Sequence, residues 1–220
     1  MNYKILNSGS DGNCTLINDI VAIDMGVSYK LLTPHVEKLR LVLLTHAHSD
    51  HFNKATIRRL AKDRPTLRFG CCKWLVQELI NCGVDRSNID VYEVGLFYDY
   101  KLFKLMPVKL YHDVPNCGYR VFYGDEKLIY ATDTYTLDGI KAIEYDYYLI
   151  EGNYQDEEEL SSRATNNYYE SRVKRTHLSK EYATNWLLEN MGLKSEYHWM
   201  HEHKEKENGK ICEEDKNWII

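Results

Sequence analysis

The stretch Leu41-Val42-Leu43-Leu44-Thr45-His46-Ala47-His48-Ser49-Asp50-His51 decides how the rest of the chain is read. Its first four residues are an unbroken apolar run of strand length. The next seven place three histidines and an aspartate at that strand's C-terminal end, where loops on rigid scaffolds present functional groups. Imidazole and carboxylate donors at this density suit zinc, manganese or iron. His46 and His48, two apart in extended backbone, point the same way towards one ion, and Asp50 and His51 can turn to a second. The competing reading is a polar surface turn that is histidine-rich by chance. It leaves four groups that are costly to desolvate with nothing to bind.

Upstream, Tyr3 to Leu6, Cys14 to Ile17 and Val21 to Ile23 read as short strands, separated by the loop Asn7 to Asn13 and by Asn18-Asp19. The Gly-rich loop lacks the GK[ST] ending and following helix of a phosphate cradle, so it predicts a tight hairpin beside the metals. A helix is expected over Ser28 to Lys38. Downstream, Asn53 can cap a helix over Lys54 to Lys62, and another is expected over Lys73 to Asn81. From Ile89 to Ile150 the period becomes two. That pattern predicts strands at Asp90 to Glu93, Tyr100 to Met106, Val108 to Tyr111, Tyr119 to Tyr123, Leu128 to Ala131 and Tyr147 to Ile150. A charged stretch, Gln155 to Lys174, leads to a helix over Ser179 to Met191 with Ser179 as N-cap. The order of elements implies two sheet layers with helices outside, in one domain of residues 1–200, and a charged, solvated tail over 201–220.

Composition narrows the function classes. The 220 residues carry a formal net charge of −5, so no global basic field is available to grip nucleic acid. No apolar run reaches membrane-span length, and the opening Met-Asn-Tyr-Lys-Ile-Leu reads as a strand and not a signal peptide. A cytoplasmic protein with no membrane partner is expected. The six cysteines have no framework spacing and are read as reduced thiols.

The motif His46-x-His48-x-Asp50-His51 after an apolar strand resembles the signature of the metallo-β-lactamase fold. Other marks of that fold stand in order around it. Asp24 in Ala22-Ile23-Asp24-Met25-Gly26 resembles the acid closing an early strand, and His112 the third histidine of the first metal. Asp133 in Thr132-Asp133-Thr134 resembles the bridging aspartate, and His177 in Thr176-His177-Leu178-Ser179 the last histidine. Gly9-Ser10-Asp11-Gly12-Asn13-Cys14-Thr15 and the late Thr176-His177-Leu178-Ser179 narrow the resemblance to the YycJ/WalJ branch. Its members look like nucleases or phosphodiesterases, and small versions occur among phage proteins.

The resemblance implies an α/β, αββα four-layer sandwich with two divalent metal ions, zinc or manganese. The first ion would take His46, His48 and His112, and the second Asp50, His51 and His177. Asp133 would bridge both, and Asp50 and Asp133 are the carboxylates expected to take part in catalysis. Two cations so placed can hold a hydroxide between them and clamp a phosphoryl group for in-line attack. Asp24 is the candidate acceptor that fixes a histidine tautomer from behind the ligands; a simple turn acid before Gly26 is the alternative. His198, His201 and His203 compete with His177, which is preferred because it precedes a helix start where the branch's pattern places it. Glu151-Gly152-Asn153-Tyr154 departs from the branch, which often carries histidine at the position of Tyr154.

The expected function is a dinuclear phosphodiesterase acting on nucleic acid or cyclic nucleotides. A thioester or lactone hydrolase of the same fold and a non-catalytic binding protein are the alternatives. Between Ser161 and Lys180, Arg163, Arg172, Lys174, Arg175 and Lys180 face only Glu170, which makes a candidate phosphate-binding surface or a solvated insertion. A homodimer is expected by analogy alone.

Overall fold

A computed structural model describes residues 1–163 and 166–203. Its first sheet is β1 (Tyr3–Asn7), β2 (Cys14–Ile17), β3 (Val21–Ile23), β4 (Leu41–Leu44), β5 (Arg68–Cys72) and β6 (Ile89–Tyr92), adjacent in that order. The second contains β7 (Tyr98–Asp99), β8 (Lys104–Tyr111), β9 (Pro115–Tyr123), β10 (Glu126–Ala131), β11 (Tyr147–Glu151) and β12 (Glu196–Met200), in spatial order β12-β11-β10-β9-β8-β7.

Alternation along each strand builds the layers. In β4, Leu41 and Leu43 join Ile23, Leu105, Tyr119, Val121, Tyr130 and Leu149 in the core between the sheets. Val42 and Leu44 face the other way, onto Ile57 and Leu60 of α2 (Lys54–Asp63) and Leu79 of α3 (Val76–Asn81). A strand buried on both faces must be apolar throughout, which is why the run Leu41–Leu44 has no polar break. On the far side, Ile129, Ala131 and Ile150 pack on Ala183, Trp186 and Leu187 of α6 (Lys180–Asn190). The result is the four-layer αββα sandwich expected from sequence.

Several element boundaries depart from expectation for local reasons. The helix expected over Ser28 to Lys38 is only α1 (Tyr29–Leu32), followed by turns, because Pro34 has no N–H to continue the ladder. The two strands expected on either side of Pro107 are one continuous strand, β8. Past Leu105 it has no β7 neighbour, so proline sits on an open edge. The charged stretch after Gln155 holds α4 (Glu157–Arg163) and α5 (Asn167–Thr176). β12 was not expected at all; its exposed Glu196, Tyr197 and His198 suit an edge strand paired on one side only.

Cys14, Cys71, Cys72, Cys82 and Cys117 are buried free thiols, and Cys212 lies outside the described residues. Of the expected tail, only His201 to His203 are described, and His201 is not solvated: it is buried at 6% exposure. Among the described residues, no helix is long and apolar enough to cross a membrane.

Candidate metal centre

β3 runs parallel to β4, and β11 runs parallel to both β10 and β12, so these strands deliver residues from their C-terminal ends to one place. Asp24 follows β3, His46 to His51 follow β4, and His112 follows β8. Asp133 follows β10, Glu151 ends β11 and His201 follows β12. Asp24, Asp133 and His201 all adopt the left-handed backbone region, with φ of 61°, 58° and 53°. That conformation is uncommon outside glycine and turns each side chain sharply off its strand into the cleft.

The loop after β4 is held by close backbone approach. A Cβ on Gly26 would sit 1.7 Å from the carbonyl oxygen of Asp50, so only glycine lets these segments touch. From the β1–β2 hairpin, Asn13 Nδ2 donates to the carbonyls of Gly9 and Asp50 and lies 2.9 Å from His51 Nε2. The loop Ser8 to Asn13 is therefore a hairpin packed against the site.

Three groups of donors converge, each with its ligand atoms within 4.8 Å of one another: His46, His48 and His112; Asp50, His51, Asp133 and His201; and Asp133, Glu151, His177 and His201. Their outer contacts set which nitrogens face inward. Thr45 Oγ1 donates to Asp24 Oδ1 at 2.9 Å, so the same oxygen accepts from His46 Nδ1 at 3.0 Å. His46 Nε2 is then an unprotonated atom, and it is buried with no hydrogen-bond partner. The carbonyl of Thr176 takes His112 Nδ1 at 2.8 Å and leaves His112 Nε2 facing His48 Nδ1 at 3.2 Å. Asp24 Oδ2 takes His51 Nδ1 at 2.6 Å, which frees His51 Nε2. That atom lies 2.9 Å from Asp133 Oδ2 without the alignment of a hydrogen bond.

These are the features of a cation site. Ring nitrogens of His46 and His51 and a carboxylate oxygen of Asp133 converge in the cleft, His46 Nε2 and Asp133 Oδ2 without a hydrogen-bond partner, and carboxylates of Asp24, Asp50, Asp133 and Glu151 crowd around them. Without a cation, protons must supply the balance. Burial opposes charge on His51, yet Asp133 and Asp24 hold its imidazolium well above the usual histidine range. Burial likewise opposes ionised Asp133, and His51 and His201 hold it well below the usual carboxylate range. Burial opposes charge on His201 as well, but Asp133 and Asp50 raise it to about 9. His46 and His112 go the other way: burial pushes both down, towards the neutral form that binds metals. The residues present therefore fit divalent cations.

Two late histidines, His201 and His177, reach the cleft. His201 Nε2 lies 3.2 Å from Asp50 Oδ2 and 3.5 Å from Asp133 Oδ1, beside the ring of His51. His177, the last histidine expected from sequence, lies with Nδ1 2.6 Å from Glu151 Oε1 and 3.8 Å from Asp133 Oδ1, in a donor group with Asp133, Glu151 and His201. They arrive from different elements: β12 runs parallel to β11 and ends in the cleft at His201, whereas His177 follows α5. Glu151 was not singled out from sequence, although a carboxylate ending an apolar strand, fully buried, is a usable signal. Nor was Asp113, 3.2 Å from His48 Nε2. Tyr154 packs with Leu160 and Val173, away from the ligands. His198 and His203 belong to none of the three donor groups.

Of the five cations over 161–180, three are paired, whereas Arg172 and Arg175 make no ion pair among the described residues. Lys174 pairs with Glu157 and Glu170, Arg163 with Glu159, and Lys180 with Glu202.

The family model described as the beta-lactamase superfamily domain matches residues 22–195, from Ala22 in β3 to the turn before β12. The chain belongs to the beta-lactamase superfamily. Within that superfamily it resembles the exodeoxyribonuclease WalJ of Streptococcus pneumoniae serotype 2, with 28% identity over 233 residues, 94% of this chain and 82% of that protein. Among solved structures, the metallo-beta-lactamase fold protein YhfI from Bacillus subtilis superposes with a TM-score of 0.69 at 15% identity, covering 91% of this chain and 85% of that one. The short form of human tRNase Z superposes with a TM-score of 0.68 at 12% identity, covering 92% of both chains. This superfamily member thus has the metallo-β-lactamase fold, and the likeness to the WalJ branch read from its motifs is found across nearly its whole length.

Proposed function

We propose that the protein is a metal-dependent phosphodiesterase acting on nucleic acid, with two divalent ions, zinc or manganese. The observation that carries this reading is the convergence of lone pairs in the cleft, above all the buried, unpartnered His46 Nε2 beside an unbridged His51–Asp133 contact. His46, His48 and His112 would hold one ion and Asp50, His51 and His201 the other, with Asp133 shared between them. Two such cations supply Lewis-acid chemistry: water made nucleophilic at neutral pH and charge neutralised on a phosphoryl group. The names of the relatives, an exodeoxyribonuclease and a tRNase, support phosphodiester chemistry over ester chemistry.

The chain's own groups do the rest. Asp24, Thr45 and the Thr176 carbonyl fix the histidine tautomers, so that no ring must reorient when substrate arrives. Glu151 holds His177 through Nδ1, which leaves Nε2 to deliver a proton to the departing oxygen. His177 is therefore read as a proton donor and not as the last ligand.

The test is turnover of bis-p-nitrophenyl phosphate and of single-stranded DNA by protein loaded with Mn²⁺ or Zn²⁺, beside a His48→Ala, Asp133→Ala double variant. Turnover lost in the double variant is the expected result. Two bound metals with no turnover of either substrate would overturn the reading and favour the thioester or lactone hydrolases.

A further inference from the structure

The rim of the metal centre carries two exposed tyrosines that the reading above does not use. Tyr111 ends β8 immediately before His112, and Tyr135 follows Asp133 by two residues. They are 36% and 46% exposed, their ring centroids are 5.8 Å apart, and their planes are inclined at 51°. The backbone ties the two segments together. Tyr135 N–H donates to the carbonyl of Tyr111 at 3.1 Å, and Tyr111 N–H donates to Thr134 Oγ1 at 3.0 Å. Each ring is thus one or two residues from a proposed ligand, on backbone anchored at both ends. Lys109, two positions earlier on β8, places its ammonium 4.7 Å from the Tyr111 ring centroid. Unlike Lys174, Arg163 and Lys180, it has no ion pair among the described residues.

Two adjoining, partly exposed aromatic rings beside a polar cleft offer a surface that something apolar and flat can cover in use. A nucleobase has that shape, and stacking on tyrosine is tolerant of sequence because every base offers a π-face. Resting on the phosphodiesterase reading, we propose that Tyr111 and Tyr135 form a stacking platform for an unpaired base flanking the scissile phosphate. Lys109 meets the next phosphate along the strand. The Lys109 ammonium, 4.7 Å from the Tyr111 ring centroid, is within side-chain reach of a phosphate next to a base held there. A cyclic mononucleotide has one phosphodiester, already required at the metals, and would leave Lys109 unused. A base paired in a duplex could not turn its face to the platform. The substrate class is therefore single-stranded nucleic acid.

The test uses metal-loaded protein and a single-stranded oligonucleotide with 2-aminopurine beside a slowly cleaved phosphorothioate linkage, together with the ordinary oligonucleotide for kinetics. Wild type and Tyr135→Phe should quench the 2-aminopurine on binding. Tyr135→Leu should lose the quench and raise KM for the ordinary oligonucleotide about tenfold with a much smaller change in kcat, as expected for one lost stacked base. Lys109→Gln should raise KM for the oligonucleotide but not for a 3′,5′-cyclic nucleotide. Tyr111→Leu should behave as Tyr135→Leu. If it fails to fold, Tyr135→Leu decides alone, because that ring sits on a loop. An unchanged KM and quench in Tyr135→Leu, while the wild type still cleaves DNA, would overturn the platform and leave the phosphodiesterase reading standing. No cleavage of any phosphodiester by the wild type would overturn both. Equal cleavage of duplex and single strand would overturn the substrate class.

Discussion

Asp24 and His51 follow different strands, β3 and β4, yet Asp24 Oδ2 lies 2.6 Å from His51 Nδ1 with both side chains fully buried. Asp24 also accepts from the Thr45 N–H, the Thr45 hydroxyl and the Tyr130 hydroxyl. A carboxylate so fully engaged cannot swing, so it fixes the direction of the His51 ring. Asp24→Asn replaces one acceptor oxygen by a donor and opposes the tautomer with a free Nε2. Metal affinity should fall about 10–100-fold, as for other carboxylates behind a ligating histidine. Chelator competition measures it, and an unchanged affinity would remove Asp24 from the centre.

The two late histidines are separable by metal content. His201→Ala should bind one equivalent where the wild type binds two, because His201 sits with Asp50 and His51. His177→Ala should keep both equivalents and lose about 10²-fold or more in turnover, the scale of a missing general acid. Elemental analysis with steady-state kinetics distinguishes them. The reverse pattern would restore His177 as the ligand.

The stability of the metal-free protein should depend on pH in a definite direction. Burial opposes the charge on His201, but Asp133 and Asp50 raise it to about 9 from its ordinary 6.5. A raised histidine takes up a proton on folding, so its contribution is complete below about pH 6.5 and is lost as pH rises through about 9. Melting temperature should therefore fall over that window and fall less in His201→Gln. With Zn²⁺ present the slope should flatten or reverse, because the metal displaces those protons. A metal-free melting curve that does not move between pH 6.5 and 9 contradicts this.

Gly26→Ala tests the clasp beneath the ligand loop. Its Cβ would overlap the Asp50 carbonyl at 1.7 Å and the Asn13 nitrogen at 2.7 Å, and both are backbone atoms that cannot rotate away. A loss of about 4 kcal/mol or more in denaturant unfolding is expected, or failure to fold. A near-neutral effect would mean that the β1–β2 hairpin and the histidine loop separate easily.

Local chemistry makes much of this molecule legible in its sequence. The run Leu41–Leu44 had to be a buried strand, and the histidine loop after it had to face something polar. Ser179 and Asn53 cap α6 and α2 as their side chains allow. Each of these features depends on neighbours within a few residues, and so does the motif from His46 to His51.

Other features depend on groups far apart in the chain. β12 carries little apolar pattern because it pairs on one side only, so nothing in Glu196 to Met200 announces a strand. Yet that strand lifts His201 out of an expected tail and sets it against Asp50, 151 residues away. The pairing of His177, after α5, with Glu151 at the end of β11, and the closure of Tyr111 onto Tyr135 in the loop after β10, likewise join segments far apart in the chain. The amino-acid order alone determined which residue types could bind a metal and which strands had to be buried, because hydrophobic period and side-chain chemistry are local properties. Which histidines reach the cleft, and what each faces there, was decided only by the tertiary structure, because strand pairing sets distances that spacing in sequence does not contain.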